Sequence, residues 1–131
     1  MSVRIDHLIN VTLDTQNESL SANHDFNGVT PLRVTLYVSI VETQTDGNPT
    51  TTLSIEVSPD DGQTLIDYDK LITDGGVDAP VASVAYTASA EDIISLAIED
   101  AIDYIRITVA GSSDMDSGDF HVVNVWLVTI Y

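Results

Sequence analysis

The chain has 131 residues, 44% of them hydrophobic, and carries 21 acidic residues against only four Lys and Arg, which gives a formal net charge of −17. Four scattered cations argue against binding to nucleic acid, because contacts to the phosphate backbone need clustered Lys and Arg. The absence of cysteine excludes disulfides and thiolate metal sites, and no stretch approaches the roughly 20 apolar residues of a membrane span.

The acidic residues are dispersed along the chain, and Lys70 is its single lysine. Two settings explain this imbalance. In molar salt the screening length falls to about 3 Å, so self-repulsion is tolerated. On a particle surface, like charge keeps particles apart. An ordinary acidic bacterial domain is the third interpretation.

Apolar and polar side chains alternate along several segments, which is the pattern of a half-buried β-strand. His7 shares the parity of the apolar residues around it, so we expect a half-buried, hydrogen-bonded side chain that faces the core. The core-facing series run through residues 3–13, 32–40, 53–57 and 105–109.

Turn signals such as Asn27-Gly28 separate these segments. Short strands with regular turn punctuation indicate an antiparallel sandwich or barrel. We therefore predict an all-β fold: a jelly-roll-like β-sandwich of about eight strands that forms a single domain over residues 1–131.

Residues 90–102 fit two structures. Ile94 and Ile98 belong to a helical stripe, but Ile94, Leu96 and Ile98 also alternate as in a strand. The surrounding β-structure favours the strand, and a short helix near 90–102 is the alternative.

The last segment, residues 120–131, is apolar on both faces and contains no acidic residue. Such a strand is either central in a covered sheet or partly buried by a partner. Because the segment carries no acid in a chain this negative, we predict that it is also partly buried by a partner and contacts another subunit. The predicted contact residues are Phe120, Trp126, Val128, Ile130 and Tyr131.

Residues 58–65 read Ser-Pro-Asp-Asp-Gly-Gln-Thr-Leu. This resembles the Asp-box of β-hairpins in sialidases and other secreted β-proteins, with Leu65 in place of the usual aromatic residue. We expect Asp60 to accept backbone N–H bonds across the turn and Gly62 to adopt a positive φ. The resemblance implies a structural turn built by Ser58, Asp60 and Gly62, away from any active site.

Asp114, Asp116 and Asp119 form the best candidate metal site, since carboxylates on a curled loop suit Ca²⁺. The EF-hand pattern fails because Val125 stands where its last Glu is required. A solvated acidic loop is the alternative interpretation.

Two phrases of the sequence, at 53–62 and 104–109, look similar to phrases of discoidin-like, galactose-binding-type β-sandwiches. In those proteins a V-x-x-S-x-D-G hairpin precedes a Y-I/V-R-I/L strand. The same phrases are similar to small β-sandwich proteins on the virions of tailed viruses. The resemblance implies a fold and transfers no binding residues.

These features together predict a structural accessory virion protein of a tailed virus with a halophilic or marine host. We expect a capsid decoration, cementing or minor capsid subunit, with a tail component as the next alternative. The expected partners are the major capsid protein or other virion subunits and further copies of this chain, but neither nucleic acid nor a membrane. The N-terminus lacks the pattern of a secretory signal, so the chain would be made in the host cytoplasm and end in the virion.

The alternative from another class is a carbohydrate-binding, discoidin-like module, assisted by calcium, which would need an exposed aromatic platform. A hydrolase would need a cleft with convergent polar groups. The three histidines have no metal-ligand spacing, no Gly-x-Ser-x-Gly motif occurs, and no carboxylate pair stands out among 21 acids. We therefore expect no enzyme and no resident cofactor.

Overall fold

A computed structural model describes residues 1–45, 47–73, 82–96, 103–115 and 118–131. These residues form ten β-strands and no helix, which confirms the all-β prediction with more strands than the eight expected. The strands are β1 Val3–Leu13, β2 Ser19–Asp25, β3 Arg33–Thr43, β4 Thr51–Ser58, β5 Ile66–Asp67, β6 Ile72–Thr73, β7 Ser83–Tyr86, β8 Ala90–Leu96, β9 Tyr104–Gly111 and β10 Phe120–Ile130. None of the described segments is a helix that could cross a membrane.

The strands form two antiparallel sheets packed face to face. Sheet I has the order β1-β10-β3-β8-β6, and sheet II has the order β2-β9-β4-β5, with β7 also paired to β4. The first strand pairs with the last and the second with the one before the last, which is the strand order of a jelly roll. Most pairs therefore join distant parts of the chain, and each sheet has one face packed against the other sheet.

The core lies between the sheets and is built by strict alternation. Along β9 and β10, every second side chain is buried and the others are half-buried. The core-facing series predicted in β3, β4 and β9 are buried as expected, with two exceptions: Val57 is half-buried, and Leu32, which precedes β3, is 66% exposed. Burying one such side chain stabilises the fold by about 1.5–3 kcal/mol.

The parity predicted for β1 is wrong in its first half. The register of β1 on β10 shifts between His7 and Ile9, because Leu8 is an extra residue in a β-bulge. A slip of one residue moves every side chain to the other face. Ile9 and Leu13 are therefore buried in the core, whereas Ile5 and His7 are exposed on the outside of sheet I.

The ambiguous segment 90–102 begins as a strand. β8 runs along β3 from Ala90 to Leu96, with Ile94 and Leu96 buried, so no helix forms over 90–96. Residues 97–102 lie outside the described residues.

The free edge of sheet I carries charge. Arg4 and Asp6 of β1 lie opposite Thr129 and Leu127, two residues whose side chains are buried in the core. The Arg4 Nε donates to Asp6 Oδ2 at 3.0 Å. Charged side chains on the inner parity of an edge strand, together with a bulge, discourage pairing with another strand. The faces of the sheets are therefore better contact surfaces than this edge.

Candidate interaction surface

The two sheets present chemically different outer faces. The outer face of sheet II carries mainly polar side chains, among them the charged Arg106 and Glu56, and several of these form hydrogen bonds across the strands. The hydroxyls of Ser21 and Thr108 lie 2.8 Å apart, and the Arg106 Nε donates to Asn23 Oδ1 at 2.9 Å. Serine and threonine are easily solvated, so this face needs no partner.

The outer face of sheet I is rich in large apolar side chains. We use "outer face of sheet I" for the side chains of β1, β10, β3 and β8 that point away from the core. Four large apolar side chains on it are exposed: Val3 by 59%, Ile5 by 66%, Tyr37 by 43% and Val41 by 54%. Half-buried apolar members lie between them, namely Phe120, Val122, Trp126, Val128, Ile130 and Ile93. Exposed large apolar side chains grouped on one face in this way are typical of an interaction surface.

Aromatic side chains form the centre of this face. The His7 and Trp126 rings are stacked, with centroids 4.7 Å apart and planes 14° from parallel. The His7 Nε2 lies 2.9 Å from Asn124 Oδ1, which fixes the imidazole. Tyr37 is the neighbour of Trp126 on β3. The three rings therefore lie in one row across sheet I.

Two shallow grooves flank Tyr37. One, of about 350 Å³, lies between Ile5, Tyr37, Trp126 and Val128. The other, of about 450 Å³, lies on the β8 side. It is lined by Tyr37, Val38, Ser39, Glu91, Asp92, Ile93 and Trp126. Grooves of this size can receive side chains of a partner or a small ligand.

Charge is nearly absent from the outer face of sheet I. Among its outward positions on β1, β10, β3 and β8, only Arg33 and Glu91 contribute to the formal charge, although the whole chain holds 21 acids. Arg33 is opposite Ile130, and Glu91 is opposite Ser39. This face therefore carries few charges within an otherwise acidic surface.

The predicted contact residues on β10 occupy this face unequally. Trp126, Val128 and Ile130 lie beside Ile5 and the other apolar residues of β1, on the same half of sheet I. Phe120 is on the same face but at the other end of β10, opposite Thr43. Tyr131 follows the strand and exchanges backbone hydrogen bonds with Ser2 at 2.9 and 3.1 Å.

Sequence reasoning missed half of this surface. The alternation over residues 32–40 places Tyr37 on the outward parity and gives it no role, and the alternation over residues 3–13 places Ile5 in the core. The Ile5 error follows from the bulge. For Tyr37 a signal existed, because a large aromatic residue on the outer parity of a predicted strand is an exposed apolar group.

The Asp-box resemblance falls on a tight turn between β4 and β5. The Ser58 Oγ accepts the Gly62 N–H at 2.9 Å and lies 2.7 Å from Asp60 Oδ1. Asp60 accepts the N–H of Thr64 at 2.7 Å and its hydroxyl at 2.6 Å, and these bonds with Thr64 and Ser58 lower the pKa of Asp60. Gly62 has a φ of +87°, and an added Cβ would lie 3.1 Å from the Tyr104 ring. The turn is held together by hydrogen bonds among its own residues.

The structure places the candidate metal ligands in different roles. Asp119 is fully buried, and its Oδ2 accepts the Gly47 N–H at 2.9 Å while its Oδ1 accepts the N–H and hydroxyl of Thr45. Asp114 is exposed, and Asp116 lies outside the described residues. Within the described ranges, no group of three His, Asp or Glu side chains could hold a metal ion. Asp119 thus fastens the β3–β4 loop to the segment before β10.

A buried polar network joins the two sheets. The Nδ1 of His121 lies 2.6 Å from the hydroxyl of Thr51, and its Nε2 lies 3.1 Å from Glu42 Oε2. The order hydroxyl, imidazole, carboxylate resembles a catalytic triad. However, Thr51 and His121 are both fully buried, so no substrate can reach the hydroxyl. The network satisfies polar groups in the core, and the sequence had no local signal for it because its members are far apart.

A cluster of acidic residues lies beside the β4–β5 turn. Asp25, Asp61 and Asp103 line a shallow depression with Asn27 and Gly28. The hydrogen bond and charge of Asp25 raise the pKa of Asp61, whereas the Asn27 N–H lowers the pKa of Asp25. These carboxylates are exposed to water and help to form the acidic coat.

Comparisons with known proteins bear on the fold. No family model matches the chain, and no curated protein matches it. Among solved structures, the chain is similar to the crystal structure of PBSX exported protein XepA, with a TM-score of 0.55 and 14% sequence identity. The match covers 97% of this chain and 37% of that one, so this chain spans little more than a third of that protein. A likeness at this identity shows a shared fold.

Proposed function

We propose that the protein is an accessory structural subunit of a tailed-phage virion, which it joins through the outer face of sheet I. The observation that carries this proposal is the contrast between that face and the rest of the chain. It is apolar, aromatic at its centre and almost free of acids, in a protein with a net charge of −17. Burial of apolar area between subunits, repeated over a symmetric particle, supplies the binding free energy.

The acidic coat has a complementary role in this proposal. Dispersed carboxylates keep the free subunit soluble and prevent contact through the wrong surfaces, because like charges that face each other are unfavourable. Docking is then restricted to the outer face of sheet I, which carries few charges. Specificity arises from repulsion everywhere else as well as from attraction at one face.

The likeness to XepA supports a phage setting at a coarse level, since PBSX is a phage. Within that setting we propose a capsid decoration or cementing subunit, which contacts the major capsid protein or other virion subunits. A tail component of the same virion is the nearest alternative. The paucity of lysine supports a halophilic or marine host, because an acidic coat tolerates high salt.

Particle association tests the proposal directly. Density-gradient-purified phage particles from the organism that carries the gene should contain the protein in multiple copies, by mass spectrometry and immunogold labelling. The variant V128D, which places a charge in the apolar face, should fold but be lost from particles. The matched variant T108D, on the outer face of sheet II, should remain bound. Absence of the wild-type protein from purified particles would refute the proposal.

A second candidate function, carbohydrate binding, is favoured by the groove beside Tyr37 and Trp126. Aromatic faces contact the apolar side of a sugar ring, and the adjacent Glu91 and Ser39 offer acceptors for its hydroxyls. The platform lies on a sheet rather than at loop tips. Because Trp126 is the chain's single tryptophan, its fluorescence should respond to a bound saccharide, with and without Ca²⁺. A glycan array without hits and an unchanged emission would remove this candidate.

A further inference from the structure

We infer that the occupant of the outer face of sheet I is a second copy of this chain, related by a two-fold axis that passes close to Tyr37 and Trp126. The inference rests on the proposed function: the virion subunit that this face joins is then a second copy of this chain, so the dimer rather than the single chain is the unit that assembles into the particle. It depends on three properties of the face: its two charges, their spacing and its area.

The two charged side chains on this face are both available. Within the described part of the chain, the side chain of neither Arg33 nor Glu91 forms an ion pair or hydrogen bond, and both residues are exposed. An unpaired guanidinium and an unpaired carboxylate on an otherwise apolar face are poorly suited to a uniformly apolar partner. They suit a partner that presents one opposite charge to each.

The two charges cannot pair within one molecule. Arg33 begins β3, and Glu91 is opposite Ser39, which is six residues further along the same strand. At about 3.3 Å per residue, this separation is roughly 20 Å. The point midway between Arg33 and Ser39 is at the level of Leu36 and Tyr37, beside the aromatic row.

A two-fold axis in the plane of the interface makes this arrangement self-complementary. Stacking two copies so that their β3 strands run in opposite directions places Arg33 of each opposite Glu91 of the other. The aromatic residues Tyr37 and Trp126 then meet near the axis. Such a contact is isologous and closed, so it ends at a dimer. The strands of the two stacked sheets would cross at the shallow angle, about 30°, that is usual for aligned sheets.

The area is sufficient for a dimer. Four strands spaced by about 4.8 Å, with lengths of seven to eleven residues at about 3.3 Å each, cover on the order of 600 Å² per copy. Two copies then bury about 1,200 Å², which is the lower limit of specific interfaces. The core of this contact would hold apolar and aromatic residues, with the charge pairs at its rim, as stable interfaces do.

A charge swap provides the test, with the dimerisation constant measured by sedimentation equilibrium. R33E and E91R should each weaken dimerisation by about tenfold or more, because each brings two like-charged pairs together across the interface. The double variant R33E/E91R should restore the constant to within about threefold of the wild type. Emission from Trp126 should change with protein concentration over the same range.

Net charge alone predicts a different pattern. R33E makes the chain more negative and E91R makes it less negative, so a general repulsion would weaken only the first variant and strengthen the second. D67R, on sheet II, changes the net charge as E91R does but lies away from the proposed interface. It should leave dimerisation unchanged or slightly tighter. Far-UV circular dichroism checks that each variant is folded.

The outcomes separate this inference from the proposed function. A wild-type chain that remains monomeric at its highest soluble concentration, or a double variant that fails to recover, overturns the two-fold dimer. If that monomer still binds particles through sheet I, the proposed function stands and the partner is another virion subunit. A dimer that is absent from particles supports the inference and refutes the proposed function. A monomer whose Trp126 emission responds to saccharides overturns the dimer in favour of carbohydrate binding.

Discussion

Two buried threonines show how single residues affect this fold. Thr51 and Thr129 are both fully buried. The hydroxyl of Thr51 is bonded to His121, whereas Thr129 Oγ1 has no hydrogen-bond partner among the described residues. A buried hydroxyl without a partner loses its hydration and gains nothing in return.

Replacement of these threonines by valine should therefore have opposite effects. T129V removes an unpaired hydroxyl and should raise the free energy of unfolding by about 1 kcal/mol. T51V leaves the His121 ring nitrogen unpaired and should lower it by about 1–3 kcal/mol. Urea unfolding monitored by Trp126 fluorescence measures both, with each variant serving as the control for the other. A loss of stability in T129V would show that its hydroxyl has a partner.

The pH dependence of stability should reflect His24. This residue is buried between the edge strands, with its ring centroid 4.9 Å from that of Phe26. Burial lowers the pKa of His24, and the neighbouring Arg4 acts in the same direction, while Asp6 and Asp25 oppose it. The folded protein therefore prefers the neutral imidazole.

The sign of this contribution follows from proton linkage. The unfolded chain binds a proton near pH 6.5, and the folded chain binds it only at lower pH. The contribution of His24 is complete above pH 6.5 and is lost as the pH falls through the lowered pKa. The difference in unfolding free energy between the wild type and H24N should therefore shrink from pH 8 to pH 5. A difference that grows on acidification would contradict a lowered pKa.

At the scale of elements, one extra residue decides which face of β1 is exposed. The bulge at Leu8 directs Ile9 and Leu13 into the core and leaves Ile5 and His7 outside. Because of this bulge, Ile5 and His7 of β1 belong to the outer face of sheet I, and His7 can stack on Trp126. A bulge has no reliable signal in a single apolar-polar pattern, because both halves of the strand still alternate.

The stability of the β3–β4 loop should depend on the two carboxylate oxygens of Asp119. D119N replaces one carboxylate oxygen by an amide NH₂ group, which donates hydrogen bonds. Because the N–H groups of Thr45 and Gly47 already donate to the two oxygens of Asp119, the new amide would face one of these donors. The free energy of unfolding should fall by about 2–3 kcal/mol, because hydrogen bonds to a buried charge are strong. D114N, in an exposed position of the same segment, should change it little.

Calcium provides a second measurement on these two variants. If Asp119 only caps backbone N–H groups, Ca²⁺ should leave the Tm of the wild type unchanged. A rise in Tm with Ca²⁺ that both D114N and D119N abolish would instead identify a calcium site at this loop.

At the scale of the whole molecule, the net charge of −17 sets the response to salt. Repulsion among dispersed carboxylates opposes the compact state, and salt screens it over a Debye length that falls from about 10 Å at 0.1 M to 3 Å at 1 M. The Tm at pH 7 should therefore rise between 0.1 and about 1 M NaCl. The effect should be smaller near pH 4.1, where the net charge is close to zero. A Tm independent of salt at pH 7 would indicate ordinary acidity rather than salt adaptation.

The sequence by itself determined the fold class and most of the core. Alternation in β3, β4 and β9 predicted which side chains are buried, because strand geometry has a period of two whatever the strand order. The two-faced character of residues 120–131 likewise predicted a strand with one face buried in the core and an apolar outer face. These properties are local, so a single chain contains them.

Only the tertiary structure decided where the candidate site lies. Trp126 acquires its neighbours from β1 and β3, which are more than 80 residues away, and the opposition of Arg33 and Glu91 depends on how β3 pairs with β8. The bulge at Leu8 and the partners of His121 and Asp119 are also set by register between distant segments. In a jelly roll most contacts are non-local, so a surface assembled from several strands has no signature in any one of them.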